Sequence, residues 1–399
     1  MEKLKGKKIV TMILFLMCIF LYSVINIKKE LPVLKETMEN FDFTTGFNNQ
    51  IHSLESAIND NVAGKYYFID AYGYMQRLLG KNEESNFEVV KDTEGKLHYT
   101  YFTDKPNDTH EVAKRVSNLK KAVEGDGTKV IYVLPPEKYI KGHTKFSTGI
   151  PYHMANEAAD LFVEHLDDYG IPCLDLREGL KTSGLDMSEV FYITDHHWKI
   201  ETAFWAASCF DKWMNETFGE NMDPEGFYAD DNNYNRITYK EISLGSMGRK
   251  TGRYYAGVDD FTLIYPKFET MYTYVNTIQP DLKYTGRFEE ALMATPIIRQ
   301  SSDPFDADMY MSYLYGNPAF SHIENMNRED GLNICFIKDS FAVPFAAFTS
   351  LRCHTVDMID PRYFEEDYVE TLRKGKYDYV ILMVSPQNLV EEFFPFGEK

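Results

Sequence analysis

Asp195-His196-His197-Trp198 is the densest titratable cluster in the 399-residue chain. A serine nucleophile needs a base to take its proton, and the base needs a carboxylate to fix its tautomer. Asp195 and His197 stand two apart, so in extended chain both side chains lie on one side and His196 faces away. The matching nucleophile is Ser340, in the one Asp-Ser dipeptide of the sequence. It follows the apolar run Asn333–Ile337 and opens a helix, where backbone amides can stabilise an oxyanion. Alone, Ser340 is an ordinary helix N-cap and His197 a structural histidine. Together, the two motifs point to acyl chemistry through a serine.

The elements that must hold these residues alternate. Residues Phe87 to Phe102 alternate about Thr93-Glu94-Gly95, a hairpin pattern. A helix carrying Val112, Val116, Leu119 and Val123 on one face precedes a strand, Lys129–Leu134. A helix near 152–168, a strand Ile171–Leu176, an apolar stretch Val190–Ile193 and a helix Lys199–Asn215 follow. Residues 220–330 break this rhythm as a loop-rich insertion. Alternation resumes with the strand Asn333–Ile337, a helix through Thr349, and strands His354–Met358 and Tyr377–Val384 flanking a helix near 363–373. The pattern predicts an α/β fold whose parallel sheet has helices on both faces. Ligands of such sheets sit beyond the carboxyl ends of the strands, where Asp195, His197, Ser340 and Asp360 all fall. In the insertion, Tyr254, Tyr255, Phe261, Tyr265, Tyr272 and Tyr274 could form a sugar-stacking platform. Ordinary strand packing is the simpler account of their alternation.

Charge and hydropathy define the surroundings. The formal charge is -19. Residues 1–29 hold six lysines and one glutamate, which leaves a body of -24. Such a body is repelled by phosphate backbones, so nucleic acid is excluded as a partner, and a neutral glycan fits the field better. The uncharged run Ile9–Ile27 would span roughly 28 Å as a helix, about the hydrocarbon thickness of a bilayer. It lacks the small-x-small ending of a cleaved signal peptide. An uncleaved transmembrane helix in the cell membrane is expected, single-pass, with a cytoplasmic N-terminus set by the preceding lysines. The chain then divides into 1–30 (lysines and anchor), 31–105 (stalk and hairpin region) and 106–399 (the α/β domain with its insertion). The five cysteines show no zinc-ligand spacing, and no disulfide framework is assumed.

Thr194-Asp195-His196-His197-Trp198, with the later Asp339-Ser340-Phe341, resembles the DHHW protein family. That family is related to the SGNH-hydrolase-like O-acetyltransferases of bacterial exopolysaccharide systems, the alginate acetylation proteins among them. The resemblance spans roughly residues 40 to 399 and implies an SGNH-hydrolase-like, flavodoxin-like fold. In this group Asp and His precede the serine, and the present chain has that order. The resemblance implies Ser340 as nucleophile, His197 as general base and then acid, and Asp195 as its orienting carboxylate. It departs at Lys338-Asp339-Ser340, where Gly-Asp-Ser is usual. Oxyanion or substrate contacts are expected among Gly245, Ser246, Arg362, Tyr363 and Asn388, although a turn residue or ion-pair partner explains several of them equally well.

The expected activity is O-acetyl transfer to, or acetyl-ester hydrolysis on, a cell-surface or exopolysaccharide glycan, with no cofactor and no metal. A transferase would need a multi-span acyl-transport protein as partner. Two other readings stand beside it. One is a catalytically inactive glycan-binding or scaffold protein of the same fold. The other is a metal-dependent DHH-type phosphoesterase, for which only Asp306-x-Asp308 supplies further paired aspartates.

Overall fold

The computed structural model describes residues 2–39, 47–306 and 308–396. They form two compact units, Met1–Met75 and Gln76–Lys399.

In the first unit, α1 (Glu2–Glu39) contains the apolar run and is long and apolar enough to cross a membrane. It continues into the region read as a stalk, and α2 (Phe47–Asn61) supplies the rest. Residues 40–46 of that region lie outside the described residues. A turn at Gly64, with φ of 73°, leads into α3 (Lys65–Leu78).

The second unit opens with a small antiparallel sheet of β1 (Glu83–Glu84), β2 (Val89–Lys91) and β3 (Leu97–Tyr99), the last two joined as the expected hairpin. The main sheet begins with β4 (Lys129–Leu134) and β5 (Cys173–Asp175). A two-stranded ribbon, β6 (Tyr234–Ser243) and β7 (Asp259–Pro266), lies apart from it. The main sheet continues with β8 (Tyr272–Asn276), β9 (Tyr284–Gly286), β10 (Phe320–Asn325), β11 (Leu332–Lys338), β12 (Cys353–Ile359) and β13 (Tyr379–Met383). Its order is β5-β4-β13-β11-β12-β10-β8-β9. The first five strands are parallel.

Alternation within the central strands explains the two-sided burial. Ile131 and Val133 of β4, Ile334 and Phe336 of β11, and Ile381 and Met383 of β13 pack on one face, against the helices Ile200–Phe218 and Ala342–Thr349. Val130 and Tyr132, Cys335 and Ile337, and Val380 and Leu382 pack on the other, against the helices His110–Val123 and Ala155–Asp168. A strand covered on both faces reads as an unbroken apolar run, as these do.

Three expectations are modified. The insertion is not only loops: β8, β9 and β10 join the main sheet antiparallel and extend its parallel core into a mixed sheet. Val190–Ile193 is not a strand, because only Phe191 pairs, through an isolated bridge to Trp198. The helix read near 363–373 starts later, at Tyr368, where the Asp367 side chain accepts from the Glu370 N–H. Phe261, Tyr272 and Tyr274 are buried strand residues, so of the six aromatics named for a stacking platform Tyr254 is the exposed one, and the six do not form that platform.

Candidate active site

Ser340 sits in the turn between β11 and the helix Ala342–Thr349, at the carboxyl edge of the sheet. Its neighbour Asp339, fully buried, pins that turn. Asp339 accepts from the backbone N–H of Phe341 (3.0 Å) and of Ser385 (2.8 Å), and from Nδ2 of Asn388 (2.9 Å). The last two partners follow β13, the strand beside β11, so two neighbouring strand ends fix the serine jointly. Ser340 itself is only 8% exposed.

His197 arrives on the bend after Val190, closed by hydrogen bonds from Tyr192 N to His197 O (3.3 Å) and from Lys199 N to Val190 O (2.9 Å). Its Nε2 lies 2.6 Å from Ser340 Oγ, and its Nδ1 lies 3.1 Å from Asp195 Oδ1. The three side chains form one hydrogen-bonded line, carboxylate to imidazole to hydroxyl. Burial works against ionisation of Asp195, but both histidines and their hydrogen bonds outweigh it and hold its carboxyl well below the usual range. Burial, then the neighbouring His196, lowers the His197 pKa from 6.5. The pair therefore rests as carboxylate and neutral imidazole, ready to accept a proton from Ser340.

His196 does not face away. The chain bends at Asp195 instead of running extended, and the His196 backbone N–H returns to Asp195 Oδ1 (2.6 Å). The His196 ring then lies 3.9 Å from that of His197, with Nδ1 2.9 Å from Asp195 Oδ1 and 3.1 Å from Ser246 Oγ.

Residues outside the motif hold this bend. Asp259, on β7 of the insertion, accepts from the N–H groups of Ile193 (2.6 Å) and Thr194 (2.8 Å) and from Thr194 Oγ1 (2.5 Å). Lys138, just after β4, donates to the carbonyls of Ile193 (3.1 Å) and Asp195 (2.5 Å), and burial pushes its pKa down to about 8. Tyr310, also from the insertion, stacks on His197 with ring centres 3.9 Å apart and planes within 12°. Its hydroxyl accepts from the Trp198 indole (3.0 Å), which explains why a tryptophan follows the two histidines. No sequence signal marks Tyr310, Asp259 or Lys138.

The other expected contacts divide. Gly245 and Ser246 lie on the carboxylate side of the line: Gly245 N–H donates to Thr194 Oγ1 (2.9 Å), and Ser246 Oγ reaches Asp195 Oδ1 (3.4 Å). Asn388 is one hydrogen bond from the serine turn, through Asp339. Arg362 instead clasps Asp360, with Nε at 2.9 Å and Nη2 at 2.6 Å. Tyr363 is 56% exposed on the surface. Lys338, where a glycine is usual, is buried and donates to Asp360 (3.0 Å) and Asn317 (2.6 Å).

Asp195, His196 and His197 also bring their ligand atoms within 4.8 Å of one another, a grouping that could hold a metal ion. In this arrangement both Nδ1 atoms already share Asp195 Oδ1, and His197 Nε2 is engaged by Ser340. Of the paired aspartates, Asp306 is an exposed turn cap, while Asp308 caps Tyr310 N (3.0 Å). Burial, then the Asp195 charge, raises the Asp308 carboxyl. Beside the site, a cavity of about 250 Å³ is walled by Tyr99, Tyr101, His153, Gln387 and Asn388, among others. Asn388 thus belongs both to this cavity and to the serine turn.

Residues 97–233, which include Asp195 and His197 but not Ser340, match the model of the SGNH hydrolase-like domain of acetyltransferase AlgX. No curated protein sequence matches the chain. Bacillus cereus PatB1 superposes with a TM-score of 0.63 at 18% identity, over 77% of this chain and 99% of that one. PatB1 with a sulfonyl adduct gives 0.62 at 18% identity, over 78% and 97%. A DHHW family protein from Eubacterium siraeum gives 0.58 at 16% identity, over 78% and 96%. The chain has an SGNH-hydrolase-like α/β fold, with a mixed sheet, similar to that of PatB1 and the DHHW family protein.

Proposed function

We propose that this chain is a membrane-anchored serine O-acetyltransferase or acetylesterase acting on a glycan outside the cell. The observation that carries the reading is the line Ser340–His197–Asp195, with contacts of 2.6 and 3.1 Å. Ser340 Oγ attacks the acetyl carbonyl while its proton passes to His197 Nε2. Asp195 stabilises the imidazolium and holds Nδ1–H toward itself. Collapse expels the donor's oxygen, which takes the proton from His197, and leaves acetyl-Ser340. An acceptor hydroxyl then gives its proton to His197 and attacks the acetyl group; collapse breaks the acetyl–Ser340 ester bond, and His197 returns the proton to Ser340 Oγ. A sugar hydroxyl as acceptor makes a transferase; water makes an esterase. The cavity walled by Tyr99, Tyr101 and Asn388 offers room for an acceptor with apolar sugar faces and hydroxyls. The match of residues 97–233 to the domain model of the acetyltransferase AlgX supports acetyl transfer as the chemistry. With α1 as a single-pass anchor and its lysines on the cytoplasmic side, the acidic body faces outward. A single span cannot carry acetyl groups across the bilayer, so transfer requires a multi-span acyl-transport partner.

The test is release of product from a chromogenic acetyl ester, with intact-mass detection of acetyl-Ser340. Wild type should turn over, while Ser340→Ala and His197→Ala should fall by several orders of magnitude. If wild type matches both variants and forms no acetyl-enzyme, the silent glycan-binding reading replaces this one. Stoichiometric manganese in protein purified without chelators, lost in His196→Ala, would restore the phosphoesterase reading.

A further inference from the structure

The loop between α2 and α3 returns to the apolar run of α1. The backbone N–H of Ala63 donates to Asn26 Oδ1 (2.7 Å), and the Tyr22 hydroxyl donates to the Ala63 carbonyl (3.0 Å). The Phe68 ring meets the Tyr22 ring edge-on, with centres 5.7 Å apart. Tyr22 and Asn26 both lie in the last six residues of the run, which ends at Ile27. At 1.5 Å per residue, Tyr22 lies about 7.5 Å inside that end. Whatever surrounds this level of α1 must therefore also meet Phe68 and its neighbour Tyr67. These two are large aromatics that are 58% and 82% exposed.

We propose that the α2–α3 turn is seated in the outer interface of the lipid bilayer, with Tyr67 and Phe68 as its aromatic anchors. This rests on the reading of α1 as a membrane span. Tyrosine rings, apolar in body and polar at the tip, collect at the boundary between headgroups and chains, and interfacial segments bury apolar side chains such as phenylalanine roughly 5–10 Å deep. The depth set by Tyr22 falls in that range. The same seating accounts for Asn26: a polar amide near the end of an apolar span is satisfied by the turn's backbone, not left to lipid. The neighbouring Lys65, paired with Asp60 at 2.9 Å, keeps a charged group beside the headgroups. The anchor is then a re-entrant unit: α1 leaves the bilayer, α2 comes back to it, and α3 starts at its surface.

The full-length chain, with Cys18→Ser, Cys173→Ser and Cys209→Ser to remove the cysteines that are not buried, is reconstituted in phosphatidylcholine–phosphatidylglycerol vesicles. A polarity-sensitive fluorophore is attached at Tyr67→Cys, at Phe68→Cys, at Leu21→Cys within the span, or at Tyr254→Cys as an exposed control. Quenching is read with lipids bearing a nitroxide at the headgroup, shallow on the chain or at the chain end. The proposal expects the 67 and 68 probes to be quenched at least twofold more by shallow nitroxides than the 254 probe. A 67 probe reached only by an aqueous quencher, while the 21 probe is quenched from the chains, overturns the seating and leaves the span intact. A 21 probe that also stays in water overturns the span itself, and the seating with it.

Discussion

Gly245 and Asp195 leave no room for a methyl group between them: a Cβ on Gly245 would lie 2.2 Å from that of Asp195 and 2.6 Å from its Cα. The backbone of the insertion thus presses directly on the residue that orients His197. Gly245 has an extended φ of -70°, so its requirement is space, not backbone freedom. Gly245→Ala should cost about 1–3 kcal/mol of stability, the scale of an overpacked core. By shifting Asp195 it should also lower ester turnover by about 10²-fold. Gly125→Ala, where nothing lies within 4 Å, should change neither thermal midpoint nor rate. Equal effects of the two substitutions would sink the idea.

The pH profile should report His197. Its folded pKa lies below 6.5, first through burial and then through His196. Neutral imidazole therefore persists below 6.5, and the acid limb of kcat/KM should fall under that value. Between the folded pKa and 6.5 the unfolded chain binds the extra proton, so His197 makes stability rise with pH across that window. His196→Gln removes one lowering influence and should move the acid limb upward. A limb that stays put in this variant would show that His196 does not act on His197.

Tyr310 joins two functions that substitution can separate. Tyr310→Phe keeps the ring on His197 but leaves the buried Trp198 indole N–H without its acceptor, which should cost about 1–3 kcal/mol with turnover near wild type. Tyr310→Ala removes the ring as well and should lower both stability and kcat. Urea unfolding and ester turnover measured together check the split. A Phe variant as slow as the Ala variant would assign the rate effect to the hydroxyl.

Lys338 and Asp360 are a fully buried ion pair at 3.0 Å, immediately before the serine turn. Asp360→Ala takes the carboxylate from the buried Lys338 ammonium, leaves it the Asn317 side chain, and should cost about 3–5 kcal/mol. Lys338→Met together with Asp360→Leu should recover part of that loss, because no buried charge remains on β11; the part still lost is that of Arg362, which also pairs with Asp360. Additive losses in the urea midpoint would contradict this account.

What the sequence makes legible here is local. The strands beneath Ser340 read directly, because both faces are covered and their apolar runs end at chemistry-bearing turns. The Asp195–His197 pairing survives the loss of the extended geometry assumed for it, since the bend keeps both side chains on Ser340's side. His196 does not survive that loss, because its position depended on strand alternation that the bend removes. Tyr310 and Asp259 stand 112 and 65 residues from the groups they hold. Nothing in an Asn- and Tyr-rich insertion marks which of its side chains will reach the site. Arg362 occupies a strand end as expected, but Asp360, two residues earlier, takes its guanidinium.

β13, the last strand in sequence, lies between β4 and β11 in the sheet. Asp339 is held by Ser385 and Asn388, both beyond that strand, so the turn that carries Ser340 depends on the final stretch of sequence. A chain threaded outward from its N-terminus would expose Asp195 and His197 early and Ser340 later, yet the sheet could not close until residue 383 arrived. A chain that stops short of β13 lacks the central strand and, with it, the Ser385 and Asn388 groups that pin the turn of Ser340. The contact between Ser340 and His197 is thus among the last that the growing chain can complete.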